Sequence, residues 1–434
     1  MASGQATATP IDLSLRDAIA RGLKANLGIL NSAQAERDVR AQRLRVLSGL
    51  LPNVTGNYTQ NVQQINLEAA GLRFNAPAGA PISIPTIVGP FGSIDTRASL
   101  SQTLVDLSQW RNLRSSDASI RAAQLSFKDA QDLVVQAVAN AYLLIIADLA
   151  RVDTNQATVN TSQALFQRAV DQKRAGTVAA IDQLRAEVQL KTDQQALLAS
   201  QNQLEKDKLA LGRVIGLPSG QQFNIADRLP FAPLDAMTPE AALGQAYSTR
   251  SDYRSAEQDV RAADLARRAA VAQYYPTLHL DANYGDSGVN IGNSHGVFQV
   301  SGSLRFNIFD GGRIRSDIDQ ADVTLQQKKD ALGDLRGRVD YEVRAALLDL
   351  RNAADQVAVA ERNVQLANET LIQARDRFSA GVTDNIEVVQ AQQSVVTANT
   401  NYINATYQHN VAKVELARSL GLAEENLHRF LGGK

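Results

Sequence analysis

A chain of 434 residues with a net charge of −1 and no cysteine has no broad basic footprint for nucleic acid, and disulfides, thiolate metal sites and cysteine nucleophiles are excluded. Only 5% of the residues are aromatic against 44% hydrophobic, a balance that suits long, alanine-rich helical packing better than thick layered cores. The opening, Met1 to Gly4, carries neither a basic n-region nor an apolar h-region, which predicts either a cytoplasmic protein or one numbered without its export signal.

In chain order, a first helix is predicted from about Ser14 to Leu47, stopping before Pro52. Pro52 to Val62 reads as a strand alternating around Val54, Tyr58 and Val62. A Gly- and Pro-rich loop with Pro77, Pro81, Pro85 and Pro90 follows. Ile94 to Val105 alternates again, with Ala98, Leu100, Gln102 and Leu104 opposite Ser99, Ser101 and Thr103. Ser116 to Ala175 then contains neither Gly nor Pro, and Ile120, Ala123, Phe127, Ala130, Val134 and Ala137 recur at helical steps. A helix of roughly 60 residues is a rod about 90 Å long, too long for any compact core, so it must pack lengthwise against other rods. Its most apolar window, Leu133 to Ala150, is interrupted by Gln136, Asn140 and Asp148 and is predicted not to cross a membrane. A turn at Gly176, a return helix to about Leu211 and Gly216-Leu217-Pro218 close the unit.

Ser219 to Pro239, with Pro230 and Pro233, reads as an irregular linker, after which the pattern restarts. A helix from Pro239 to about Gln273 stops before Pro276, and Thr277 to Tyr284 alternates. After a glycine-rich loop from Gly285 to Gly296, Phe298 to Ile308 alternates too. A second rod from Arg313 to Ala380 turns at Gly381 and returns to Gly421-Leu422. Leu51-Pro52 answers to Tyr275-Pro276, Asp106 to Asp310, Ala175-Gly176 to Ala380-Gly381, Ile181-Asp182 to Ile386-Glu387 and Gly216-Leu217 to Gly421-Leu422. The expected organisation is a duplicated helix-strand-strand-helix-helix unit: residues 1–218, a linker over 219–239, and residues 240–434.

Each strand has one apolar and one polar face, the pattern of a membrane β-barrel. The polar faces carry His279, Asp281, Asn283, Arg305 and Asn307, which suit a wet lumen; the alternative is a pair of soluble hairpins packed on helices. Lipid supplies no water to unpaired backbone groups, so a spanning sheet must close. Two, three or four copies would give about 8, 12 or 16 strands.

Phe309 to Arg313 lies between a strand and a rod, where Asp310 can cap the new helix and Gly311 and Gly312 permit unusual backbone angles. No P-loop surrounds it, no G-x-S-x-G elbow occurs, and His279, His295, His409 and His428 lack ligand spacing. No catalytic residue, cofactor site or metal site is therefore assigned, and an enzyme is not expected. Asp182 and Glu387 each follow a turn glycine by six positions, which points to a pore-facing pair.

The duplicated order of elements, the Phe309-Asp310-Gly311-Gly312-Arg313 turn and the Ala-Gly turns followed by Ile-Asp or Ile-Glu resemble the TolC-type outer-membrane efflux family. The likeness runs from about Ser14 to Leu422 and implies a mainly α chain: a homotrimer whose twelve-stranded transmembrane β-barrel continues into a long α-helical barrel across the periplasm. It makes 219–239 part of an equatorial collar, and it makes this numbering that of a mature form. It implies a passive export duct for drugs, metal ions or polypeptides, set in outer-membrane lipid and working with a periplasmic adaptor and an inner-membrane pump. The turns Arg174-Ala175-Gly176-Thr177 and Ser379-Ala380-Gly381-Val382 become adaptor-docking tips. Asp182 and Glu387, with Asp384, become a periplasmic gate whose carboxylates repel one another and favour cations. Family members place Tyr and Arg where this chain has Phe378 and Thr383. The alternative is a periplasmic coiled-coil adaptor that bridges membranes without conducting.

Overall fold

The computed structural model describes residues 10–72, 85–218, 220–228, 231–234, 237–380, 382–383 and 385–431. The chain opens with β1 (Ile11–Leu13), α1 (Leu15–Ala25), α2 (Leu27–Ser48), β2 (Asn53–Asn66) and β3 (Ile87–Val105). The 68-residue α3 (Leu107–Arg174) and α4 (Ala180–Val214) follow. After β4 (Phe223–Ile225) come α5 (Pro239–Thr249), α6 (Ser251–Ala272), β5 (Thr277–Gly288) and β6 (Ser294–Arg305). The 67-residue α7 (Arg313–Ser379), α8 (Asn385–Ser419) and α9 (Ala423–Phe430) complete it. Two compact units divide these elements: residues 37–121 with 258–330 form one, and residues up to 36 with 122–257 and 331 onward form the other.

In the first of these units the strands form one antiparallel sheet in the order β2-β3-β5-β6. Its register sets residues of like polarity in rows. Val54, Leu100, Ala282 and Val300 are cross-strand neighbours, as are Asn53, Ser101, Asp281 and Ser301. The apolar face is bare: Val54, Tyr284, Phe298 and Val300 are 66–79% exposed. The polar face is bonded to itself, with Ser101 Oγ donating to Asp281 Oδ1 at 2.7 Å and the His279 ring 3.4 Å from Thr103 Oγ1.

The predicted glycine-rich loop is mostly strand, because glycine admits a close neighbour. A Cβ on Gly285 would sit 2.0 Å from the Thr96 carbonyl oxygen. Pro90 also falls inside a strand, β3, rather than in the predicted loop, while Pro77 and Pro81 lie outside the described residues. β6 ends at Arg305, so Phe306, Asn307 and Ile308 lie beyond it.

The other unit is built around α3. Val135, Val138, Ala139, Tyr142 and Ile145 are buried with Leu13, Ala18, Leu211 and Ile215. An 18-residue window of α3 reaches a mean hydropathy of 1.9, enough by length and composition to cross a membrane, but half of it is buried within the chain. The linker is less irregular than its composition suggests, since β4 pairs in parallel with β1. Tyr142 clamps this pair, its hydroxyl donating to the Leu13 carbonyl at 2.9 Å and to Asp227 Oδ2 at 2.8 Å. Asp227 also accepts from the Leu15 amide at 2.6 Å.

The two long entry helices predicted from Ser14 and Pro239 are each broken in two. Asn26 and Arg250 adopt extended ψ values of 129° and 120°. Asn26 caps α2 locally, its Oδ1 accepting the Gly28 amide at 2.8 Å, and a tertiary contact meets each break. α4 and α8 each end in a Schellman turn, with Gly216 at φ 69° and Gly421 at φ 68°. The amides of Leu217 and Leu422 reach back to Gly212 and Ala417, both at 2.8 Å. These turns press on the breaks: a Cβ on Gly216 would lie 2.3 Å from Ala25 Cβ, and one on Gly421 would lie 2.8 Å from the Arg250 backbone. Arg250 is buried, pairs with Asp252 at 2.7 Å and Glu342 at 2.6 Å, and donates to the Ser419 carbonyl at 3.5 Å. A cation thus sits at the negative end of the α8 dipole.

α3 starts at Leu107, nine residues before the uninterrupted run from Ser116 and just past Asp106, where the sequence hands the second strand over to a helix; Asp106 Oδ1 accepts the Gln109 amide at 2.9 Å and caps it. α9 was not predicted; it packs Leu427 into the core, and Leu431, just past its end, joins it.

Gly176 has a φ of 73°, but a Cβ there meets open space. Gly176→Ala should therefore cost only the left-handed penalty of about 1–2 kcal/mol. Gly216→Ala adds a collision with the Ala25 Cβ and Gly421→Ala one with the Arg250 backbone, and both should lower thermal stability distinctly more. Equal losses in a melting experiment would refute the docked-turn account.

Candidate functional site

The hairpin ends carry the residues singled out in the sequence. α3 closes with a third Schellman turn: the Gly176 amide donates to Lys173 O at 3.0 Å and the Thr177 amide to Gln172 O at 2.9 Å. The Thr177 hydroxyl bonds the same Gln172 carbonyl at 2.9 Å. At the other tip the Ala380 amide donates to Asp376 O and the Val382 amide to Arg377 O, both at 3.0 Å. Gly381 and Asp384 lie outside the described residues.

Two of the three predicted gate carboxylates, Asp182 and Glu387, have an arginine on their own chain. Asp182 lies 3.5 Å from Arg185, and Glu387 lies 3.3 Å from Arg377. Thr383 also donates a hydrogen bond to Glu387, which spans the second tip from α7 to α8. Exposed pairs of this kind contribute only about 0–1 kcal/mol, yet they offset the repulsion expected between bare carboxylates. Phe378 packs against the buried Leu371, Ala374, Val388 and Ala391, so its ring belongs to the hairpin core.

Between the first turns of α4 and α8 lies a cleft of about 370 Å³ lined by Ile181, Leu184, Val188, Ile386 and Val389, with Arg185 at its side. Ile181, Leu184 and Val188 are 50–66% exposed. Farther along the helices Gln392 Nε2 donates to Ser162 Oγ at 3.1 Å, and Ser162 donates to Asp193, all three buried. This polar node ties α3, α4 and α8 together.

A second buried polar group anchors the linker. Lys413 donates to the Ala232 carbonyl, and the His409 ring lies 4.7 Å from that of Phe231. Burial, and then the neighbouring Lys413 charge, push His409 down to about 4; burial pushes Lys413 down to about 8. Sequence reasoning set His409 aside for want of metal spacing; its helical neighbour Lys413 was the available signal.

The strand-to-helix turn is fixed by its own chemistry. Asp310 accepts from the Ile314 amide at 2.9 Å and the Gly312 amide at 3.1 Å. The Ile314 bond, with that of Gly312, holds its carboxyl below the usual range. Gly311 and Gly312 have φ values of 68° and 89°, which only glycine adopts readily.

A sheet apolar and exposed on one face, in a chain whose longest helices have 68 and 67 residues, defines a protein of membrane export. The chain belongs to the outer membrane efflux protein family, whose model matches residues 19–217 and 242–422. It serves as an export duct of the outer membrane. Outer membrane protein OprJ of Pseudomonas aeruginosa is 25% identical over 419 residues, covering 92% of this chain and 81% of that protein. Cation efflux system protein CusC of Escherichia coli K12 is 23% identical over 330 residues, covering 73% of this chain and 71% of that one. Among solved structures, a membrane protein from Pseudomonas aeruginosa superposes with a TM-score of 0.80 at 21% identity, over 95% of this chain and 91% of that one. The Campylobacter jejuni CmeC outer membrane channel gives 0.77 at 15% identity, over 96% and 89%.

The histidine gives a pH signature. An unfolded imidazole titrates near 6.5, so between about 4 and 6.5 the unfolded chain binds a proton that the folded chain refuses. The stability that neutral His409 contributes is whole above 6.5 and is lost as pH falls toward 4. Lys413 is charged in both states at pH 7, and its burial penalty is relieved as pH rises from about 8 toward the unfolded value near 10.5. Burial raises the carboxyls of Asp148, Asp129 and Glu415, which act in the opposite sense, so the share of His409 is read by difference: between pH 7 and 4.5 the melting temperature of the parent should fall more, or rise less, than that of His409→Gln. Identical slopes would show that His409 is not the group titrating.

Proposed function

We propose that three copies of this chain form a passive duct, with four strands each in a twelve-stranded transmembrane barrel and their long helices in an α-helical barrel. The observation that carries this reading is the sheet: apolar and bare on one face, polar on the other, with β2 and β6 at its edges without a further partner among the described strands. Within lipid such edges must find partners, and other copies of the same chain supply them by symmetry. Residues 1–218 and 240–434 are two copies of one unit, with 219–239 as an equatorial linker. The matched amide bonds at Leu217 and Leu422 and at Thr177 and Val382 support that reading.

The duct works with a periplasmic adaptor and an inner-membrane pump. Its tips, Arg174 to Thr177 and Ser379 to Val382, meet the adaptor, and the cleft between α4 and α8 accepts the apolar face of a partner helix. Leu184→Asp combined with Val389→Asp should abolish export in cells while the purified protein still conducts. Export at the parental rate would remove the cleft from the docking surface.

Asp182, Glu387 and Asp384 form the periplasmic gate. With Arg185 and Arg377 as partners, the first two make a constriction of mixed charge, so its selectivity depends on which partner is removed. In planar bilayers under a salt gradient, Asp182→Asn with Glu387→Gln should move the reversal potential toward anions. Arg185→Gln with Arg377→Gln should move it toward cations. An unchanged potential in both would place these residues away from the narrowest point. A chain that never conducts would instead favour the non-conducting adaptor.

A further inference from the structure

We propose that Asp148 of α3 and Asp207 of α4 form a proton-binding site, a carboxyl–carboxylate bridge in which one shared proton ties the two helices together. Asp148 is the acid that interrupts the most apolar window of the chain, and it is only 2% exposed. A carboxylate so far from water needs a partner for each oxygen. Oδ1 has one, since Arg151, one turn farther along α3, donates to it at 2.6 Å. Oδ2 is buried and has no donor among the described residues. The side chain within hydrogen-bond reach is another acid, Asp207. Two ionised carboxylates are acceptors only, so they bond to each other only when one carries a proton.

The charges around the pair point the same way. Arg151 is the cation that serves it, with Nη1 on Asp148 and Nη2 on Asn404 Oδ1 of α8, each at 2.6 Å. Asp207 accepts from the neutral Gln203 Nε2 at 2.8 Å, and the adjacent Lys208 pairs instead with Glu205 at 3.1 Å. Two carboxylates beside one guanidinium leave a surplus negative charge, which one proton cancels. The titratable group that α8 brings to the pair is Tyr407, with Glu415 farther along the same helix. Burial, first, holds the Tyr407 phenol above its usual range, so it stays neutral. Burial, and then the bond with Asp207, raise Asp148 to about 6 against the pull of Arg151. Above that pH the proton leaves to water, and two negative charges face each other across α3 and α4. An unfolded Asp titrates near 3.9, so the bridge stabilises the fold fully below about 4 and is lost as pH rises through 6. Its pH dependence is opposite to that of His409.

Infrared difference spectra of the full-length protein between pH 5 and 7.5 read this proton directly, because a protonated carboxyl has a carbonyl band that a carboxylate lacks. The bridge predicts a parental band that is lost near pH 6. Asp148→Asn should lack it. Its amide donates to Asp207 as the shared proton does, so this variant should melt above the parent at pH 7.5 and level with it at pH 5. Asp207→Asn removes the second acid and should shift the loss of the band to lower pH; it carries the test alone if Asp148→Asn does not fold. A parent without a carboxyl band titrating near 6, or a band unchanged in these variants, would overturn the bridge. So would a melting temperature that a chelator lowers in the parent and not in the variants, which would put a metal ion in place of the proton.

Discussion

Unpaired backbone at the two edges of the sheet constrains this chain more than any side-chain contact. β2 and β6 each present one row of amides and carbonyls with no partner among the described strands. In water such edges are tolerable; in hydrocarbon every unpaired group costs several kcal/mol. The bare face formed by Val54, Tyr284, Phe298 and Val300 points to hydrocarbon. On the proposed reading, association of copies reconciles an outer-membrane location with an open sheet, and oligomer formation becomes a condition of insertion.

The helical unit solves a different problem. Long helices of this kind bury a narrow stripe and gain little per turn, so their ends must be held by specific contacts. Gly216 and Gly421 do this by allowing a left-handed turn to press on a broken helix at Ala25 and at Arg250. Buried polar groups, the Ser162–Asp193–Gln392 node and the Lys413–Ala232 anchor, then fix which helices lie together. Such groups contribute little net stability but disfavour alternative registers, because a slipped helix would strand them unpaired.

Much of this was legible in the sequence, and the reason differs by element. The first rod announced itself by sixty positions without Gly or Pro, the second by restarting the same order of elements after the linker, and the strands by alternation. The break at Asn26 could have been read, since Asn is a favoured helix cap and its Oδ1 accepts the Gly28 amide; the break at Arg250 could not, since its contact with Gly421 lies some 170 positions away. The strands at Ile11–Leu13 and Phe223–Ile225 are too short to show a period. Near the hairpin ends, the Asp182–Arg185 pair has ordinary helical spacing and could have been read. The bond between Arg377 and Glu387 crosses a turn and could not.

Closure between copies is the claim on which the rest depends, and the absence of native cysteine makes it directly measurable. Single cysteines placed along β2 and along β6 can be combined pairwise in one chain, and the protein oxidised in outer-membrane vesicles. The account predicts that some β2–β6 pairs give covalent dimers and trimers on a denaturing gel, in a register that advances two residues at a time. Only monomeric products from every pair, in membranes where the protein is inserted, would contradict it.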